Sequence, residues 1–234
     1  MGMGALVIGV FFMLIGWVIS SRMKSKFKEY SQTHLTRDLT GAEVARLMLA
    51  DNGIHDVQVV SVEGQLTDHY NPATKTVNLS QEVFHGRNAA ATAVASHECG
   101  HAVQHATAYA MLQFRSAMVP IQNISASVLN FIMMAMIFGG FFAGSILPWN
   151  TALLVMIVCY GVFALFAIVT LPVEFDASNR ALAWVKARNI VTPQEYDMAQ
   201  DALKWAAMTY VVAAIGAITT LVYYVMLYLG GSRD

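Results

Sequence analysis

Residues 96–105 read SHECGHAVQH, a stretch in which three histidines are spaced four residues apart. His97 and His101 enclose Glu98 in an HExxH pattern, which is typical of zinc hydrolases when it lies on a helix. Residues four apart share one helical face, so both imidazoles can reach the same metal ion. Glu98 is rotated by about 100° from His97 and can take a proton from a water that zinc activates. The spacing therefore predicts one Zn²⁺ ion with Glu98 as the general base.

A catalytic zinc of this type needs a third protein ligand and one open coordination position. His105 continues the stripe of histidines, but on a straight helix it lies about 12 Å of helix rise beyond His97. Proteins that use a third histidine after HExxH have a glycine turn there, and Gln104 stands at the position of that glycine. We therefore expect His105 to contact substrate, to orient a ligand, or to be an ordinary structural histidine.

Two carboxylates follow the third long apolar run, in LPVEFDASNR at residues 171–180. An acidic side chain next to a bilayer core is unfavourable without a partner. Glu174 and Asp176 point about 200° from each other on a helix, so only one of them can face the zinc. On chemistry alone either can be the third ligand. Alternatively, both simply cap the start of a helix and interact favourably with its dipole.

The composition indicates a membrane protein, since 56% of the 234 residues are hydrophobic and only 12% are charged, against about 25% charged in soluble domains. Four apolar runs approach the roughly 20 residues that a spanning helix needs. Thirteen of the fourteen lysines and arginines fall in two segments, 21–123 and 172–205. By the positive-inside rule these segments are cytoplasmic and both termini lie outside. The net charge of −1 gives no indication of a nucleic-acid partner. The predicted spans are residues 5–20, 124–147, 151–171 and 206–229.

The cytoplasmic segments show several local signals of secondary structure. Residues 36–53 form a predicted helix with a Thr40/Glu43 capping box, and a second box at residues 192–195 starts the helix that leads to the last span. Residues 57–62 are a predicted strand and residues 64–80 a hairpin that turns at Asn71-Pro72. A long helix from about residue 88 to beyond 115 carries the HExxH motif. Another, in VEFDASNRALAWVKAR, follows the third span and ends near residue 189.

The second strand of the hairpin immediately precedes the motif helix. We expect it to be a sheet edge to which a substrate adds as an extra strand, with an ordinary hairpin strand as the alternative. The expected fold is mainly α: an integral membrane protein with four transmembrane helices and a cytoplasmic zincin-like α+β part that contains a small hairpin or sheet. Residues 1–234 are expected to form one compact unit. The residues of the expected edge are Thr76, Val77, Asn78 and Leu79.

Three segments resemble a known family: HECGHAVQH at residues 97–105, LPVEFDAS at 171–178 and LTDHYNPATKTVNLS at 66–80. They are similar to the YugP-type neutral zinc metallopeptidases of bacterial membranes, and more distantly to the HtpX and CAAX-prenyl-protease group. The resemblance covers nearly the whole chain and implies a zinc endopeptidase at the cytoplasmic surface of the bacterial plasma membrane, acting on a peptide or membrane-protein substrate. It also implies that His97, His101 and Glu174 hold the zinc and that Glu98 is the general base.

The sequence departs from the HtpX-like pattern at Ser178, where that pattern has an aspartate four residues after the glutamate ligand. Asp176 and Ser178 are therefore both candidates for orienting the histidine ligands. His105 and Arg180 are candidates for stabilising the oxyanion, and a lipid-headgroup or solvent contact is the alternative for Arg180.

Two other kinds of protein fit parts of the sequence. A membrane scaffold can keep a structural zinc without cleaving anything, but such a site does not need the base that Glu98 supplies. A membrane diiron oxidase needs several histidine-rich boxes on different helices, and the sequence has one. The pattern therefore favours a hydrolase.

Overall fold

The computed structural model describes residues 3–138 and 148–231, and within them the chain is mainly helical. Ten elements lie in this part of the chain, with three short strands between the second and third helices. They are α1 (Met3–Tyr30), α2 (Gly41–Asp51), β1 (Gln58–Val62), β2 (His69–Asn71), β3 (Thr76–Ser80), α3 (Gln81–His85), α4 (Ala89–Ala106), α5 (Ala110–Phe138), α6 (Trp149–Ala187) and α7 (Pro193–Gly231).

Four of the described helices, α1, α5, α6 and α7, are long and apolar enough to cross a membrane. This agrees with the four predicted spans, although residues 139–147 of the second span lie outside the described part of the chain. The helices are longer than the apolar runs because each continues into a more polar segment without a break. The sequence therefore located the spans but not the helix ends.

The helix predicted after the third span is not a separate element. It is the second half of α6, which runs for 39 residues with Pro172 inside it. Proline interrupts one backbone hydrogen bond of a helix, and helices in membrane proteins tolerate this where neighbouring groups compensate. Glu174 and Asp176 consequently lie in the middle of a helix, so the alternative interpretation, that both cap a helix start, is wrong.

Contacts divide the chain into two compact units, and the first contains most of the apolar helical segments. It comprises residues up to 16, residues 114–171 and residues from 210 onward. Its core is apolar, and Tyr160 and Tyr224 stack in it with ring centroids 4.9 Å apart. Large apolar side chains such as Phe131 and Met226 remain exposed on its surface, as expected for helices that face lipid.

The second unit, residues 17–113 and 172–209, contains the sheet. Its strand order is β1-β3-β2, with β1 parallel and β2 antiparallel to β3. The hairpin of β2 and β3 was therefore predicted correctly, but the assignment of Thr76–Leu79 as a sheet edge is wrong. β1 pairs along the whole length of β3 on the side away from β2, so β3 is the central strand. The edges of the sheet are β1 and β2.

Both predicted capping boxes are present. Thr40 Oγ1 accepts from the Glu43 backbone N–H while Glu43 accepts from the Thr40 N–H. Thr192 and Glu195 form the same pair at the start of α7. Glu195 also accepts a 2.7 Å hydrogen bond from the backbone N–H of Thr36. The second box therefore fixes the chain after α1 as well as the start of α7.

The motif helix α4 begins where the sequence predicted, because Asn88 Oδ1 accepts a hydrogen bond from the Ala91 N–H. It ends earlier than expected, at Ala106, so the single helix predicted to run beyond residue 115 is wrong. Thr107 Oγ1 donates to the Val103 carbonyl, and the Tyr109 N–H bonds the Gln104 carbonyl. Ala108 takes the left-handed conformation, φ +52°, that closes this type of helix end. The break comes after the motif and leaves it regular.

Candidate active site

A close approach of α4 and α6 at Gly100 brings the two sides of the site together. A Cβ atom at Gly100 would lie 2.5 Å from the Ala177 carbonyl oxygen, a distance that real Cβ contacts do not reach. Glycine is therefore the residue that lets the two backbones pack this tightly. The contact lies between the two histidines of the motif on α4 and between Glu174 and Ser178 on α6.

His97, His101 and Glu174 form one cluster, with their ligand atoms all within 4.8 Å of one another. Glu174 Oε2 lies 3.4 Å from His97 Nε2 and 3.5 Å from His101 Nε2. Ligand atoms of a tetrahedral zinc with bonds of about 2.0–2.1 Å are separated by about 3.4 Å. The donor set of two imidazoles and a buried carboxylate also matches that of catalytic zinc sites. The residues present therefore fit a zinc ion.

The second nitrogen of His101 contacts a buried amide. Its Nδ1 lies 2.9 Å from Gln104 Oε1, while Gln104 Nε2 donates to the Val173 carbonyl at 2.7 Å and to Asp176 Oδ2 at 2.8 Å. Both amide hydrogens are thus committed to acceptors, so Oε1 faces His101 and Nδ1 must carry the proton. His101 Nε2 is left with the lone pair that a metal requires.

The second nitrogen of His97 contacts Ser178, whose hydroxyl oxygen lies 3.1 Å from His97 Nδ1. Ser178 is buried and lies one helical turn after Glu174 on α6. Of the two residues predicted as candidates to orient the histidines, Ser178 therefore contacts one histidine directly. Asp176 reaches the other only through Gln104. Gln104 was not identified from the sequence because its role depends on the position of α6.

Glu98 lies next to the cluster and is largely buried. Its Oε2 accepts a 2.9 Å hydrogen bond from the backbone N–H of Tyr70 on the edge strand β2. The hydroxyl of the same tyrosine lies 2.9 Å from His105 Nδ1. His105 is exposed and is not a member of the metal-binding cluster. Tyr70 thus connects the proposed base to the third histidine of the motif, and the sequence pattern carries no signal for this link.

Arg180 lies one helical turn after Asp176, and its side chain already makes two contacts within the protein. Its Nε donates to Asp176 Oδ2 at 2.6 Å, and its guanidinium lies 5.8 Å from the centre of the Tyr109 ring. The hydrogen bond from Arg180 and that from Gln104 converge on the same carboxylate oxygen. The structure therefore places Arg180 at the end of a chain that runs through Asp176 and Gln104 to His101.

Burial and neighbouring charges change the pKa values of several groups at the site. Burial acts to lower the pKa of His101, but the Glu174 and Glu98 carboxylates outweigh it and raise that pKa above the ordinary value of 6.5. Burial is the main reason why the pKa of Asp68 is raised, and the charge of Glu98 adds to it. Asp68, which accepts hydrogen bonds from the Ser80 N–H and hydroxyl, was not identified from the sequence. The raised pKa of His101 means that a proton competes more strongly with a metal ion for this side chain.

Two histidines and a glutamate on packed helices, with a further glutamate beside them, define the zinc metallopeptidase class. A family model described as "Putative neutral zinc metallopeptidase" matches residues 5–229, and the chain belongs to this family. The chain is also 38% identical, over 213 residues and 91% of each chain, to the "Putative membrane protease YugP" of Bacillus subtilis (strain 168). No solved structure matches it. The family resemblance predicted from the motifs is confirmed.

Proposed function

We propose that the protein is a membrane-bound zinc endopeptidase that cleaves membrane or misfolded proteins at the cytoplasmic surface of the bacterial plasma membrane. The observation that carries this proposal is the cluster of His97, His101 and Glu174 with Glu98 beside it. A structural zinc site does not need a carboxylate base next to three ligands and an open position. The two units together would form one membrane-embedded enzyme.

His97, His101 and Glu174 would hold the ion, which when bound lowers the pKa of a water and polarises a peptide carbonyl. Glu98 takes the proton from the attacking water and passes it to the amine that leaves. The Tyr70 N–H fixes one oxygen of Glu98, so the carboxylate is held in place before the substrate arrives.

Of the two candidates for stabilising the oxyanion, His105 is favoured over Arg180. Arg180 Nε is committed to Asp176, whereas His105 is exposed and its ring is held by the hydroxyl of Tyr70. A hydrogen-bond donor that is oriented before the reaction stabilises a developing negative charge without reorganisation. His105 and Tyr70 thus form the polar pair proposed for the substrate carbonyl.

The position of Glu174 along the chain supports a site close to the membrane. It follows the end of the third apolar run at Leu171 by three residues, about 4.5 Å of helix rise. The positive-inside rule assigns this end of the run to the cytoplasm, because the two basic segments lie on the same side of the predicted spans. Substrates would then be cleaved within or next to the headgroup layer.

The test compares the purified protein with the Glu98→Gln variant, using casein and a membrane protein as substrates and measuring the zinc content of both. Removing the base while keeping the ligands should leave one zinc per chain and abolish cleavage. Glu63→Gln, the same substitution at an exposed residue of the same unit, should cleave normally. If wild type and Glu98→Gln both bind zinc and neither cleaves, the protein is a zinc-containing scaffold and not a peptidase.

A further inference from the structure

We propose that a pocket beside the polar end of α1 binds the headgroup of an anionic phospholipid. This "α1 pocket" has a volume of about 640 Å³ and lies within the second unit, and its lining includes Lys24, Lys28, Ser31, Gln65, Leu66 and Glu82. Its volume is within the usual range for small-ligand sites. The pocket is separate from the cluster on α4 and α6. The proposal rests on the orientation proposed above, in which this end of α1 is cytoplasmic.

In the part of the chain that the structure describes, two lysines of the pocket have no carboxylate counter-ion. Four basic residues follow the first apolar run, and two of them are engaged: Arg22 stacks on Trp205 and Lys26 contacts Glu29. Lys24 and Lys28 differ from these two residues in having no such partner in the described part of the chain. Among residues 3–138 and 148–231, no carboxylate oxygen lies within 4.0 Å of either ammonium group. They are four residues apart and share one helical face, where like charges repel unless an anion lies between them.

Lys24 lies at the depth expected for lipid headgroups, and Lys28 lies about one helical turn further from the hydrocarbon core. Lys24 follows Ser20, the last residue of the first apolar run, by four residues and Lys28 follows it by eight, which is about 6 Å and 12 Å of helix rise. A headgroup layer is about 5–7 Å thick on each side of the hydrocarbon core. Lys24 is therefore within this layer, and Lys28 can reach it along its flexible side chain.

Part of the pocket lining comes from the loop between β1 and β2. Leu66, at the tip of this loop, is 44% exposed and has a φ of +56°, a conformation that is uncommon for residues other than glycine. An exposed apolar side chain in the same pocket as two lysines matches the glycerol and acyl part of a lipid next to its phosphate. Glu82, an acidic residue of the lining, accepts a 2.7 Å hydrogen bond from Gln65 Nε2, which reduces its repulsion of an anion.

The test measures lipid binding to the full chain in a neutral detergent by native mass spectrometry. The probes are short-chain phosphatidylglycerol, phosphatidylcholine with the same chains, and inorganic phosphate. A lysine near an anionic lipid surface contributes about fivefold in binding, so the Lys24→Gln/Lys28→Gln variant should bind phosphatidylglycerol about 25-fold more weakly. Glu82→Gln should bind it severalfold more tightly.

Two controls separate a site from a general effect of charge. Lys75→Gln/Lys186→Gln removes the same charge outside the α1 pocket and should bind phosphatidylglycerol like the wild type. Lys24→Arg/Lys28→Arg keeps the charge and should retain most of the binding, which also shows that substitution at these positions leaves the fold intact.

Three results would overturn the proposal: equal binding of phosphatidylglycerol by Lys24→Gln/Lys28→Gln and wild type, equal binding of phosphatidylcholine, or displacement of the lipid by inorganic phosphate at a similar concentration. The last result would identify a small-anion site instead of a lipid site. Lipid binding by the Glu98→Gln variant separates this proposal from the proposed function, because it should persist whether or not the protein cleaves peptides.

Discussion

Replacing Gln104 by methionine removes the amide that joins His101 to Asp176 while keeping a side chain of similar length. Gln104 is completely buried, and its oxygen and both hydrogens of its nitrogen are used in hydrogen bonds. In the variant Asp176 keeps Arg180 as a partner. The main loss is therefore at His101 Nδ1, whose hydrogen would face a thioether instead of a carbonyl oxygen.

The size of the effect follows from that loss. A buried donor without an acceptor costs about 1–3 kcal/mol of folding free energy. Removing a group that orients a metal-binding histidine typically weakens metal affinity by about 10- to 100-fold. We therefore expect the Gln104→Met variant to fold, with lower stability, and to bind zinc at least tenfold more weakly than the wild type.

The assay titrates zinc into the metal-free protein in competition with a chromophoric chelator. Gln32→Met is the matched control, because Gln32 is exposed and lies in the same unit, and its zinc affinity should equal that of the wild type. Wild-type zinc affinity in Gln104→Met, with unchanged thermal stability, would refute the idea that this amide holds His101.

Three further predictions concern the same cluster. Gly100→Ala should lower zinc affinity and cost about 1–3 kcal/mol of stability, because the added methyl group forces α4 away from α6. Gly161→Ala is the control: this glycine has open space around it, so the substitution should have little effect on zinc titrations or thermal melts. The raised pKa of His101 means that its proton stabilises the metal-free fold below the ordinary pKa of 6.5, and that this stabilisation is lost as the pH rises through the raised value. The increase in melting temperature on adding zinc should therefore grow as the pH rises above 6.5. A constant increase would contradict the competition between the proton and the metal. Ser178→Ala should weaken zinc binding by about tenfold through His97, and an unchanged affinity would show that this contact does not orient the ligand.

The features that depend on neighbouring residues in the chain were predictable from the sequence. His97 and His101 lie one turn apart on a helix, so their proximity follows from helix geometry alone. The capping box at Thr40 and the β2–β3 hairpin are also local patterns. The four apolar runs were recognisable from composition because the bilayer sets the length of a spanning helix.

Other features depend on how distant segments pack. The parallel pairing of β1 with β3 joins two strands that β2 separates in the chain. It makes β3, the expected edge strand, the central strand of the sheet. The contact between Gln104 and Asp176 requires α6 to lie against α4. The bond from Tyr70 to Glu98 uses a backbone N–H, which every residue except proline has, so no residue type signals it. Glu174 was selected over Asp176 only through the family resemblance.

The most direct test of the central claim is the zinc K-edge X-ray absorption spectrum of the purified protein with one zinc per chain, compared with that of a Glu174→Gln variant. We predict a first shell of nitrogen and oxygen at about 2.0–2.1 Å, with two imidazoles from His97 and His101, and weakened binding in the variant. A sulfur ligand at about 2.3 Å, a third imidazole, or a spectrum and affinity unchanged by Glu174→Gln would contradict the account.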